Sequence, residues 1–272
     1  MKIRAIAWNT FGSFLRNKVI LLISAIFLCV LLLFSTPLIT ANAMRGSMTA
    51  AQTEGMVLSM LSVIMGLVSG FGSLLAAWAA ADAVAAELRS GTILAVMARP
   101  VRRWEFLLGK FAGVQILMGV YVIFLVASTY IFASMGGESV HAPLWALIVY
   151  PLVRYAMYAA LAMFLVTVMH PFVAFGITLL VAVLSGIVVP SSGTSSFLPV
   201  WLRSSLYVVL PSTGLLSESR FLAITQASLE KTQWTAHLTA LAYGLDYALV
   251  LLLLAMLLFR RRNLTGGTAG SL

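Results

Sequence analysis

The sequence predicts an all-α polytopic membrane protein with six transmembrane helices. Of its 272 residues, 61% are hydrophobic and only 9% are charged, whereas roughly a quarter of the residues of a soluble domain are charged. The mean hydropathy is +1.04, and apolar runs of membrane length recur along the chain. A soluble enzyme or DNA-binding domain is excluded, because so few charged side chains cannot cover the surface of a water-soluble globule of this size.

The first residues predict a helix that lies on the inner surface of the membrane. Over residues 2–17, apolar side chains recur on one helical face, while basic and polar side chains lie mostly on the other, as in interfacial helices. The apolar positions are Ile3, Ile6, Ala7, Phe11 and Phe14. We therefore assign residues 1–18 to an interfacial amphipathic helix and residues 19–272 to one transmembrane domain.

Six apolar segments are long enough to cross about 30 Å of hydrocarbon. They cover residues 19–40, 56–81, 106–132, 142–169, 172–190 and 238–259. The first is longer than the apolar region of a signal peptide, so we expect it to remain as a span. The fourth and fifth nearly touch at His170-Pro171, where proline must break or kink the helix, which predicts a tight turn.

The basic residues predict the orientation of the chain. With the N-terminus inside, 12 of the 17 Lys and Arg residues fall on the inner side, 4 fall on the outer side, and Arg154 lies within a span. Cytoplasmic loops of membrane proteins collect Lys and Arg, so both termini are expected in the cytoplasm. This distribution accounts for the net charge of +9 without a nucleic-acid partner.

A search for catalytic or metal-binding patterns is negative. The three histidines are scattered, and the only cysteine, Cys29, lies in an apolar run. The Gly109-Lys110 pair lacks the earlier glycine and the following Ser or Thr of a phosphate-binding loop. We therefore expect no enzyme activity, metal or cofactor in this chain.

Two ionisable residues fall inside predicted spans at matching depth. At about 1.5 Å per residue, Arg154 lies roughly 24 Å from His170, and Asp246 lies roughly 21 Å from Arg260. Each alone would cost at least about 2.5–3.5 kcal/mol in hydrocarbon, so we predict that Arg154 and Asp246 form an intramembrane ion pair. That pair would either lock two helices together or take part in substrate or proton movement.

Small residues form a stripe on two of the predicted spans. They recur every four residues, which allows helix backbones to approach closely. Those of the second span are Ser62, Gly66 and Gly70, and those of the fifth are Ala174, Thr178, Ala182 and Gly186. The stripes indicate packing within the subunit, a dimer contact, or a wall of a translocation path.

The connection between the second and third spans is the most charged part of the chain. Residues 84–98 predict a short amphipathic helix that ends at Arg99-Pro100. Considered by itself, this stretch is equally typical of an ordinary basic cytoplasmic loop.

This connection and the start of the third span contain a recognisable set of residues: Glu87, Gly91, Thr92, Pro100, Arg103, Phe106, Gly109 and Lys110. The set resembles the signature of type 2 ABC exporter permeases, in the subgroup of multi-copper-enzyme-maturation permeases. The N-terminal Leu15-Arg16-Asn17-Lys18 and the C-terminal Phe259-Arg260-Arg261-Arg262 also resemble this subgroup. The resemblance covers nearly the whole chain.

The resemblance implies a permease of the bacterial cytoplasmic (inner) membrane that pairs with a second copy or paralogue. Two cytoplasmic ATP-binding subunits would hold ATP and Mg. Residues 84–98 would form the coupling helix, with Glu87 and Arg89 as its polar contacts. The remaining residues assigned to ATPase coupling are Gly91, Thr92, Arg99 and Arg103. The outer loop at about 191–237 would hold re-entrant or amphipathic segments near the exit.

The predicted path is apolar, which favours export of a hydrophobic or lipid-like substrate. Membrane lipid is therefore an expected partner. Two alternatives remain open: a gradient-driven transporter and a membrane assembly factor that transports nothing. A gradient-driven transporter would need internal repeats or intramembrane relays, and neither is clear in the sequence.

Overall fold

The computed structural model describes residues 2–27, 29, 33, 50–90, 102–135, 144–188, 210–211, 216 and 232–261. Within these ranges the chain forms seven helices and no strand. The helices are α1 (Lys2–Leu15), α2 (Lys18–Phe27), α3 (Ala50–Ser90), α4 (Arg103–Met135), α5 (Leu144–Val168), α6 (Pro171–Val188) and α7 (Thr232–Arg261). The all-helical prediction is confirmed for the described residues.

Among the described residues, four segments are long and apolar enough to cross a membrane: Gly55–Ala86, Arg103–Met135, Leu144–Val168 and His237–Phe259. A fifth span results if α1 and α2, which meet at a bend of 63°, cross together. The apolar part of α6, Pro171–Ser185, is shorter. Much of the first predicted span and most of the outer loop 191–237 lie outside the described residues, so the six-span arrangement stays a prediction.

The structure has a helix break at His170-Pro171, where the sequence predicts a tight turn. Helix α5 ends at Val168 and α6 begins at Pro171, where the missing N–H of proline costs no helical hydrogen bond. The imidazole of His170 caps α6, because its Nδ1 accepts a hydrogen bond from the Phe172 N–H at 3.4 Å. The Ala174 N–H donates to the His170 carbonyl at 3.0 Å and starts the helical ladder.

Helix α5 lies at the centre of the bundle and packs against α3, α4, α6 and α7. Large side chains of α5, including Tyr150 and Tyr155, are fully buried. Small residues on the neighbouring helices make room for them. A Cβ at Gly72 of α3 would overlap the Tyr155 ring, and a Cβ at Gly244 of α7 would overlap the Val153 side chain. The helices around α5 therefore approach closely where the sequence places glycine.

Helix α1 packs along the first turns of α4. Its buried residues Ala7, Thr10 and Phe14 include two of the predicted apolar face. The apolar face of α1 packs against α4, because a Cβ at Gly109 of α4 would lie 2.7 Å from the Ile6 Cβ. A Cβ at Gly113 would lie 2.7 Å from the Thr10 Cβ. Two glycines one turn apart thus form the groove that receives α1.

We predict that Gly113→Leu destabilises the protein by about 1–3 kcal/mol, because the added side chain must displace α1. Thermal unfolding in detergent measures this as a lower Tm. Gly119→Leu is the matched control, since a Cβ at Gly119 of the same helix meets nothing within 4 Å. Equal losses in both variants would contradict the close packing of α1 on α4.

Candidate functional site

The candidate site is the end of the bundle where α3 stops at Ser90 and α4 starts at Arg103. The C-terminus of α7 and the helix α1 lie at the same end, which we call the basal end. It flanks residues 91–101, the connection that the sequence assigns to ATPase contact. Of the residues assigned to coupling, Glu87 and Arg89 lie in the last turn of α3, and Arg103 opens α4. Gly91, Thr92 and Arg99 lie outside the described residues.

The start of the predicted coupling helix is part of α3. Helix α3 runs without a break for 41 residues, from Ala50 to Ser90, and includes residues 84–90. Residues 91–98 lie outside the described residues, so the coupling helix at 84–98 stays a prediction. Val84 and Ala85 are buried within the bundle. The alanine-rich stretch before Ser90 contains no helix breaker, so the helix continues. At about 1.5 Å per residue α3 is about 62 Å long and must project beyond the hydrocarbon.

The first turn of α4 is held to the last turn of α7. Glu105 stabilises the α4 terminus by accepting a hydrogen bond from the Arg102 N–H at 2.8 Å, as in a capping box. The Arg103 Nη1 donates to the Phe259 carbonyl at 3.2 Å, one of the carbonyls at a helix end that lack a helical partner. The rings of Phe106 and Phe259 stack, with centroids 6.1 Å apart and 14° between planes.

Lys110 extends this cluster one turn further along α4. Its side chain is buried, and its Nζ lies 5.5 Å from the Phe106 ring centroid, within the range of a cation–π contact. Phe106 and Lys110 share a face because they are four residues apart, while Gly109 faces α1. The Phe106, Gly109 and Lys110 of the resemblance therefore have a packing role at the basal end.

A single amide side chain joins the bend between α1 and α2 to α3. The Asn17 Oδ1 accepts a hydrogen bond from the Val19 N–H at 3.0 Å, which caps α2. The Asn17 Nδ2 donates to the Asp82 Oδ2 at 2.9 Å. Asp82 lies on α3 two turns before Ser90, so this contact bridges two elements 65 residues apart in sequence.

Sequence reasoning missed the role of Asp82 and used Asn17 only as part of the resemblance. Two signals were present. Asn17 precedes the apolar run of α2, which is where helix caps occur. Asp82 is an acidic residue inside an alanine-rich stretch, where a charged side chain needs a polar partner.

Arg154 and Asp246, predicted to form an ion pair, differ in burial. Arg154 is only 9% exposed, and its guanidinium carbon lies 5.6 Å from the Tyr155 ring centroid. Asp246 is exposed. Gly244 of α7 faces α5, and Asp246 follows two residues later, about 200° around the helix. The ion pair between Arg154 and Asp246 stays a prediction.

Other polar side chains of α5 have partners on neighbouring helices. The Tyr150 hydroxyl lies 2.8 Å from the His237 Nδ1 of α7. The Tyr158 hydroxyl lies 3.2 Å from the Ser185 Oγ of α6. These contacts place hydrogen-bonded polar groups between helices in an otherwise apolar bundle. No group of three His, Cys, Asp or Glu side chains within the described ranges could hold a metal ion.

The two small-residue stripes lie in different surroundings. Gly66 and Gly70 of α3 are exposed, and a Cβ at either would meet nothing within 4 Å among the described residues. Ser62 is half-buried, and its hydroxyl donates to the Ser59 carbonyl at 2.7 Å. In α6, Ala174 and Thr178 are buried and Ala182 is half-buried. Gly186 lies within α6, but its burial is outside what the structure describes.

We predict that Asn17→Asp weakens the joint between α1, α2 and α3. Aspartate still caps α2, but its carboxylate would face Asp82 and could not donate a hydrogen bond. The expected loss is about 1–3 kcal/mol in the free energy of unfolding, measured as a lower Tm in detergent.

Two variants test the Asn17–Asp82 contact itself. Asn9→Asp introduces the same charge on the exposed side of α1 and is expected to leave Tm almost unchanged. Adding Asp82→Asn to Asn17→Asp reverses donor and acceptor and should recover most of the loss. A double variant no more stable than Asn17→Asp would show that the contact does not explain the effect.

Comparison with protein families provides independent information on this arrangement. Residues 4–264 match the family model of the ABC-2 family transporter protein. Comparison with curated proteins found no match. The family match includes α1, both helices beside the 91–101 connection and α7, the elements that form the basal end. The chain therefore belongs to the ABC-2 transporter family, the membrane-spanning permeases of ABC transporters.

Proposed function

We propose that this chain is the transmembrane subunit of an ATP-driven exporter for a hydrophobic or lipid-like substrate. A separate ATP-binding subunit would dock at the basal end and hold ATP and Mg. The observation that carries the proposal is the geometry around residues 91–101. This connection joins α3 and α4, and α4 is in turn held to α1 and α7 at its first turns.

The contacts at the basal end support a route for mechanical coupling. A movement of the 91–101 connection would displace the start of α4 together with α7, because Arg103 and Phe106 both contact Phe259. Helix α1 would follow because it lies in the Gly109–Gly113 groove. The Asn17–Asp82 hydrogen bond would pass the movement to the bend between α1 and α2.

ATP binding would act through this route as a population shift. The bound ATPase would favour one arrangement of the basal helices over the other by its differential affinity for the two. Closure of two ATPase subunits requires two permeases, a second copy of this chain or a paralogue. The exposed Gly66 and Gly70 of α3 support a place where a second permease could approach closely.

Substrate class and location follow from composition. Exposed apolar side chains cover much of α6 and α7, which supports an apolar path or lipid-facing wall. We place the protein in the bacterial inner membrane, with both termini in the cytoplasm, because its basic residues gather on that side. The same orientation puts the basal end where an ATP-binding subunit can reach it. Membership of the multi-copper-enzyme-maturation subgroup remains part of the proposal.

We predict that Glu87→Arg uncouples ATP hydrolysis from transport. The charge reversal falls in the last turn of α3, next to the 91–101 connection. In inverted vesicles containing the chain and its ATP-binding subunit, we expect export of a hydrophobic fluorescent dye to fall at least about tenfold, equivalent to about 1.4 kcal/mol. ATP hydrolysis and membrane insertion should continue.

Glu138→Arg is the matched control, since it makes the same charge change in the connection predicted on the outer side. It is expected to leave both activities unchanged. Normal export by Glu87→Arg would contradict a coupling role for this turn. Export that persists without an ATP-binding subunit and follows an imposed ion gradient would favour a gradient-driven transporter.

A further inference from the structure

Helix α1 has an exposed face, besides the buried one that packs on α4, where a basic side chain and apolar side chains occur together. Arg4, Trp8 and Leu15 fall on one line along the helix, at positions i, i+4 and i+11. All three are exposed, Trp8 by 68% and Leu15 by 55%. The Phe11 ring lies beside Trp8, with centroids 5.8 Å apart. We call this line the Trp8 face.

The charge around the Trp8 face is of one sign. Residues 2–27 contain four basic residues and no acidic residue, and all four are exposed. They are Lys2, Arg4, Arg16 and Lys18. Two acidic side chains at the basal end have their own contacts. Asp82 accepts a hydrogen bond from Asn17, and Glu105 accepts one from the Arg102 N–H.

The position of Arg4 in α1 favours a nearby anion. Arg4 stands in the first turn of α1, which holds no acidic residue. The helix dipole disfavours cations there, so a bound anion would offset that cost. The exposed Trp8, one turn beyond Arg4 on the same face, and the exposed Leu15 further along it identify the kind of anion, because a free ion in water gives no reason for apolar side chains to be exposed.

The headgroup region of a bilayer suits this combination of side chains. Tryptophan is enriched at membrane interfaces, and arginine can place its stem among apolar groups while its head remains polar. Guanidinium groups bind phosphate oxygens through charge-assisted hydrogen bonds. Hydrocarbon alone would not suit Arg4, and water alone would not suit Trp8 and Leu15.

We propose that the Trp8 face binds anionic phospholipids at the basal end of the bundle. Trp8 and Leu15 lie at the boundary between headgroups and acyl chains, and Arg4, Arg16 and Lys18 contact lipid phosphates. Because α1 also lies in the Gly109–Gly113 groove and borders the Asn17–Asp82 contact, bound lipid stabilises α1 in this position. This proposal does not rest on the transport function.

The test compares lipid binding by the full chain in nanodiscs. Wild type and the double variant Arg4→Gln, Arg16→Gln are placed in phosphatidylcholine containing phosphatidylglycerol, and retained lipid is counted by native mass spectrometry. Wild type should retain phosphatidylglycerol preferentially. The preference should fall about fivefold for each charge removed and should decrease with added salt.

Two further variants make the result specific. Arg4→Lys, Arg16→Lys keeps both charges and should keep most of the preference. Arg220→Gln, Lys231→Gln removes two charges from the predicted outer loop and should change nothing. The Tm of every variant in pure phosphatidylcholine should match that of wild type, which separates lipid binding from folding.

Three outcomes would overturn the proposal. The first is an unchanged phosphatidylglycerol preference in Arg4→Gln, Arg16→Gln. The second is an equal loss in Arg220→Gln, Lys231→Gln, which would make the preference a matter of net charge. The third is that Arg4→Gln, Arg16→Gln keeps the lipid preference of wild type but no longer co-purifies with the ATP-binding subunit. That result would make the Trp8 face a protein-docking surface.

Discussion

The close approach of α1 to α4 at Gly109 and Gly113 is the contact on which the basal end depends. A side chain at either position would lie within 2.7 Å of α1 atoms, so only glycine lets the helices meet at this distance. The position of α1 in turn brings Asn17 within hydrogen-bond distance of Asp82 and leaves Trp8 exposed. Coupling and lipid binding, as proposed, therefore both rest on one pair of glycines.

The centre and the basal end of the bundle are held together by different interactions. Around α5, glycine and alanine on neighbouring helices allow close van der Waals packing, which drives helix association where lipid is as apolar as the protein. At the basal end, individual polar contacts such as Arg103 to the Phe259 carbonyl connect specific helices. Such contacts have defined geometry, so they suit a region that transmits movement, whereas the packed centre resists small displacements.

The two proposed partners of the basal end would use different surfaces. The ATP-binding subunit would contact the 91–101 connection between α3 and α4, and anionic lipid would contact the Trp8 face of α1. Both surfaces are linked to the start of α4. The 91–101 connection continues directly into α4, and the helix that carries the Trp8 face packs in the Gly109–Gly113 groove of α4. Lipid composition would then influence the same helix that receives the movement of the ATPase.

The sequence by itself determined the membrane class, the helical fold and the break at His170-Pro171, because hydropathy and proline act over a few neighbouring residues. The family resemblance at Phe106, Gly109 and Lys110 also came from the sequence, but their packing roles did not. Only the tertiary structure decided that α3 continues to Ser90, that Asn17 meets Asp82, and that Asp246 is exposed while Arg154 is buried. The physical reason is that the rotation of a helix about its axis, and the neighbour of each face, depend on how all the helices pack at once.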